Sequence, residues 1–117
     1  GAEVFEMDPK SHDQMFASVS HLPHLLAYAS IKAIANSENS VALSQSGAGL
    51  KDFSRIASSS PEMWTDIFIE NQNNLLPRIS IFKEVLKELE NSIMQNDKEG
   101  LIKILTQAKT ERDRWMT

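Results

Sequence analysis

The segment SHLPH, residues 20–24, places two of the chain's three histidines three positions apart around a proline. Imidazoles change charge near neutral pH, and each can donate a proton, accept one or ligate a metal. On a regular helix His21 and His24 stand about 300° apart, hence on neighbouring faces. Zinc needs a third ligand, and His12 lies about three turns upstream of His24, so the spacing does not assemble a metal site. Two readings stay open on these residues. They are satisfied core or surface histidines, or they are a polar wall in a cleft, donating to an anionic or hydroxylated ligand.

Two further groups carry chemistry. GAGLKDFSR, residues 47–55, sets two glycines ahead of Lys51, Asp52 and Arg55. Asp52 and Arg55, at i and i+3, can pair on one helix face, and glycines before a helix can expose N–H groups to an anion. A flexible loop with a solvated ion pair fits equally well. GAG is not a dinucleotide fingerprint, because no strand precedes it and no third glycine follows at the required spacing. SSPEMWTD, residues 59–66, puts Met63 and Trp64 in a helix's first turn. Such a pair either joins the core or reaches toward a neighbouring subunit.

The elements that must position these residues read as helices throughout. Asp8-Pro9 reads as a turn, and Ser11 with Gln14 fits a capping box. From Met15 and Phe16 through Val19, Leu22, Leu25, Leu26, Ala29 and Ala33, apolar residues recur every three to four positions. That predicts one helix to about Asn36, bent by Pro23. Residues 37–49 read as a loop, and a short helix follows from Leu50 to about Ser58. Ser60-Pro61 is a cap and first-turn signal for a helix ending near Asn71. Leu76, Ile79, Phe82, Leu86, Leu89 and Ile93 then form a heptad-like seam, with Pro77 expected in that helix's first turn. A last helix, capped by Asp97, carries Leu101, Ile104, Leu105, Ala108 and Trp115 on one side, with Trp115 expected on the core. No segment alternates with period two long enough to predict a strand.

Composition sets the outer limits. At 117 residues the chain makes one domain, and an apolar share of 41% leaves part of an apolar face for a partner to complete. A net charge of −4 argues against a nucleic-acid surface, and any bound anion must be held by a few placed cations. No apolar run is long enough to span a membrane. The absence of cysteine removes disulfide and thiolate chemistry and fits a cytoplasmic setting. The expectation from residues alone is an all-α domain with a polar cleft near a kink, forming dimers.

Taken in order, HD at 12–13, SHLPH at 20–24, GAGLKDFSRIA at 47–57, PEMWTDIFIEN at 61–71 and a helix pair ending in DRW resemble the C-terminal half of prephenate dehydrogenase. The resemblance covers nearly the whole chain. It implies a helical bundle of the 6-phosphogluconate dehydrogenase C-terminal-domain type, forming a homodimer. The family oxidises prephenate, or arogenate in some members, with NAD or NADP; loss of carbon dioxide leaves 4-hydroxyphenylpyruvate or tyrosine, and tyrosine is a possible inhibitor. On this resemblance Ser20, His21 and His24 line the substrate cleft, Arg55 holds a substrate carboxylate, and Asp52 orients Arg55. Met63 and Trp64 reach toward the partner subunit's cleft. Ala48 stands where the family places a glycine. The resemblance also implies that residue 1 falls at the junction with a Rossmann half. That half would hold the cofactor and the catalytic histidine, leaving this chain with no catalytic, cofactor-binding or metal residue and inactive by itself. The competing expectation is a helical interaction module that binds no small molecule.

Overall fold

The computed structural model describes residues 7–37 and 40–116, and every described element is helical. Helix α1 (Pro9–Phe16) starts one turn earlier than the capping-box reading of Ser11 implies. Asp8 is the cap: its backbone is extended, its carboxylate accepts from the Ser11 N–H at 2.8 Å, and Pro9 opens the helix. An acceptor side chain followed by a residue with preset φ outcompetes a serine three positions on.

The bend expected at Pro23 takes the form of one π-helical turn, Ala17–His21, in which the Leu22 N–H reaches the Ala17 carbonyl. Proline has no N–H and its ring crowds the carbonyl four residues back, so the helix widens just ahead of it. Helix α2 (Leu22–Ser37) continues beyond the wide turn. Ala17 and Ala27, both fully buried, give neighbouring elements room to approach these helices closely.

Within the stretch expected to be a loop lies a short helix, α3 (Ser40–Ser44). The predicted short helix is α4 (Ala48–Ser54) followed by a 3-10 turn, Arg55–Ser58. Both pack against α2. A 2.8 Å hydrogen bond from the Tyr28 hydroxyl to the Ser59 carbonyl ties α2 to the end of the 3-10 turn. Helix α5 (Pro61–Glu70) has the expected serine cap, Ser60 accepting from the Met63 N–H.

Helix α6 (Gln72–Met94) begins well before Leu76, which places Pro77 inside the helix rather than in its first turn. Asn71 explains the early start, since its carbonyl accepts from the N–H groups of Asn74 and Leu75 and so opens the helix itself. The chain divides into two compact units, one ending at Ile79 and one beginning at Ser80. In the second unit α6 closes on a left-handed Asn96, φ 53°, with the Asp97 N–H bonded to the Ser92 carbonyl and the Asn96 N–H to that of Ile93. This is the Schellman arrangement, in which asparagine tolerates the conformation glycine would otherwise supply. Asp97 then caps α7 (Lys98–Trp115) as expected, accepting from the Gly100 N–H at 2.9 Å.

Trp115, expected on the core, is not buried within its own unit. It is 70% exposed, with the Arg112 guanidinium 5.0 Å from its ring centre, a contact the cation and the ring face supply for themselves. The buried apolar residues among those described are Ala17, Ala27, Trp64 and Leu75. Along the heptad-like seam Leu76, Phe82, Leu86 and Ile93 are exposed in the single chain.

Candidate functional site

Two clamps hold the wide turn of SHLPH. From α6, the Arg78 Nε donates to the Ser18 hydroxyl at 2.6 Å while another guanidinium nitrogen donates to the Asn74 carbonyl at 2.8 Å. From the α5–α6 junction, the Asn71 side-chain nitrogen lies 2.9 Å from the Asp13 carbonyl and 3.1 Å from Nδ1 of His21. The Asn71 carbonyl oxygen accepts from the Asn74 amide at 2.9 Å.

These contacts fix where the protons sit. A backbone carbonyl can only accept, so the Asn71 atom facing Asp13 is the NH₂ group, and that same group meets His21. Nδ1 of His21 must therefore be the acceptor, and neutral His21 carries its proton on Nε2. His24 is held the other way round. Its Nδ1 lies 3.0 Å from the Ser20 carbonyl, so that nitrogen donates and Nε2 of neutral His24 keeps a lone pair. Two histidines in five residues thus present opposite hydrogen-bonding character at Nε2. One offers a donor, the other an acceptor.

Trp64 lies beneath both. Its ring stacks on His24 with centres 3.6 Å apart and 14° between planes, and meets His21 edge-on at 6.0 Å. Phe68, one turn on in α5, tilts against the same indole at 5.6 Å. Trp64 is only 8% exposed in its own chain. A large ring flanked by Phe68 and two imidazoles gains more from burial than from projecting into water. Met63, its neighbour, is the one that faces outward, at 52% exposed.

Ser20, His21 and His24 are half-buried and share one stretch of chain, as expected. A cavity of about 260 Å³ is lined by His21 with His12, Asp13, Phe16, Ile67, Glu70 and Asn71, and it includes neither His24 nor Arg55. His12 packs edge-on against Phe16 at 4.2 Å and contacts the Asp13 carboxylate at 3.3 Å. Burial pushes the His21 imidazole below the ordinary histidine value; His24 and His12 add to this, and the Asp13 carboxylate opposes it.

Asp52 and Arg55 are both exposed, and none of the ion pairs among the described residues joins them. Both side chains stand in solvent, where an ion pair of this kind gains little, and the expected pairing is not made. Arg55 is left with its charge uncommitted on a turn that Tyr28 anchors to the same helix as His24. A guanidinium in that state can take a carboxylate in a two-point fork.

The described residues contain no strand ahead of the GAG stretch. Gly47 caps α4, a helix of seven residues with no strand ahead of it, so the strand–turn–helix cradle for a pyrophosphate is missing from them. They include no group of three or more histidine, cysteine, aspartate or glutamate side chains placed to hold a metal ion, and no helix long and apolar enough to cross a membrane.

Sequence reasoning overlooked Asn71, Tyr28 and Arg78. Asn71 was legible only as a helix end. Tyr28 offered a better signal, being the chain's single tyrosine, set one turn after His24 in an apolar run.

Comparison with known proteins shows the family. Residues 8–107 match the family model described as prephenate dehydrogenase, dimerization domain. A prephenate dehydrogenase of Bacillus subtilis is 34% identical over 114 residues, which are 96% of this chain and 31% of that protein. The crystal structure of prephenate dehydrogenase from A. aeolicus in complex with hydroxyphenyl propionate and NAD+ superposes with a TM-score of 0.87 at 37% identity, over 97% of this chain and 41% of that one. Synechocystis arogenate dehydrogenase gives a TM-score of 0.88 at 28% identity, over 98% of this chain and 43% of that one. The chain thus spans well under half the length of these relatives.

Proposed function

From the premise that this chain belongs to the prephenate dehydrogenase family, through that family's dimerization domain, we propose that it forms the substrate wall and the subunit interface of a dehydrogenase acting on prephenate or arogenate. The observation that carries the reading is the arrangement around α2. His24 is fixed there by Ser20 and Trp64, and Arg55 stands uncommitted on the 3-10 turn that Tyr28 ties to the same helix.

In this reading Arg55 holds a substrate carboxylate through charge-assisted hydrogen bonds, and His21 and His24 meet substrate oxygens as donor and acceptor. The hydride acceptor in such a reaction would be NAD or NADP, for which the described residues supply no strand–turn–helix cradle. The residues described here contribute binding and orientation. The exposed apolar seam of α6, from Leu76 to Ile93, becomes the surface covered by a second copy. Met63 extends the subunit contact.

Steady-state kinetics of the enzyme that contains this chain test the assignment. A charge-assisted contact contributes about 1.5–3 kcal/mol, or about tenfold to a hundredfold in affinity. Arg55→Ala should raise the Michaelis constant for prephenate by that factor while lowering turnover less, and Arg55→Lys should restore only part of it. An unchanged Michaelis constant in Arg55→Ala would remove this arginine from the site.

A further inference from the structure

The opposite proton placement on His21 and His24 has a single structural source on the side of His21. We propose that Asn71 is a positioning residue that fixes His21 as a neutral Nε2–H donor, so that the histidine pair offers a ligand one donor and one acceptor. The ligand-wall part of this inference rests on the function proposed above. The placement of the proton does not.

The NH₂ group of Asn71 spends one hydrogen on the Asp13 carbonyl and the other on Nδ1 of His21. Its own orientation is locked by Asn74, and Asn71 is anchored in the backbone where its N–H bonds to Ile67 at the end of α5. Adding a proton to Nδ1 of His21 would set two N–H groups against each other at 3.1 Å, so the amide opposes protonation as well as choosing the tautomer. The titratable groups facing His21 are Asp13 and His12 from α1, His24 from α2 and Glu70, which lines the same cavity from α5; Arg78 of α6 reaches the same turn through Ser18. Burial acts in the same direction as the amide. A neutral donor keeps its hydrogen as the pH rises through the range where an ordinary imidazolium loses one, so its contact with a carboxylate or hydroxyl oxygen is insensitive to that change.

Long-range nitrogen–proton NMR on this chain labelled with nitrogen-15 reads the tautomers directly. At pH 7.5 His21 should show the Nε2–H pattern and His24 the Nδ1–H pattern. Asn71→Asp replaces the donor with an acceptor and should move the His21 proton to Nδ1 and raise its pKa above that of the wild-type residue. A wild-type His21 in the Nδ1–H form would overturn the proposal, and so would an Asn71→Asp spectrum with an unchanged tautomer and titration. If that variant does not fold, the wild-type spectrum alone decides. Because no substrate is present, these spectra stand or fall separately from the Arg55 kinetics.

Discussion

Replacing Trp64 with alanine separates two roles for this indole, a brace within its own chain and a contact reaching a partner. Trp64 and Leu75 are the large side chains among the buried apolar residues described, the others being alanines. Removing a buried tryptophan typically costs about 3–5 kcal/mol in lost transfer energy and residual cavity. Domains of this kind have roughly 5–15 kcal/mol of stability in all, so Trp64→Ala should remove a fifth or more of it. Trp64→Phe keeps a ring against His24 and Phe68 and should cost less than half as much. Urea unfolding followed by far-UV circular dichroism, at one fixed protein concentration, measures both. Intrinsic fluorescence adds a check: Trp115 is 70% exposed, so the buried, blue-shifted part of the emission belongs to Trp64 and should vanish in the alanine variant. A change below about 1 kcal/mol, accompanied by loss of the proposed dimer in sedimentation, would refute the packing argument and make the indole a partner contact.

Tyr28→Phe deletes one hydroxyl and leaves the Ser59 carbonyl without that donor; we expect about 0.5–1.5 kcal/mol of destabilisation in the same assay, and no measurable change would mean that the 2.8 Å bond does not hold the 3-10 turn to α2. The lowered pKa of His21 fixes the sign of a pH effect. Below about pH 6.5 the unfolded chain binds more protons at this residue than the folded one, so its contribution is complete above that pH and is lost as the pH falls through the folded value. Unfolding midpoints at pH 7.5 and 5.5 should therefore differ less in His21→Gln than in the wild-type chain; equal differences would contradict this.

The sequence by itself determined the helical architecture and most of its punctuation. Period-three-to-four patterning, Ser60-Pro61 and Asp97 act within a turn of where they stand, and such local signals survive without knowledge of the fold. It also carried the family, since SHLPH, DFSR and PEMW, on which the resemblance rests, all lie within the residues 8–107 that the family model matches. Where two local signals competed, sequence reasoning chose wrongly at Ser11 and Pro77, since Asp8 and Asn71 open their helices earlier. The protonation of the histidine pair was not legible at all. His24 takes its proton placement from a carbonyl four residues away, but that of His21 comes from Asn71, fifty positions on. Trp64 turns inward for the same kind of reason. Its neighbours are ring faces supplied by α2 and the wide turn, and only the folding of α5 against them decides that burial wins over reaching outward.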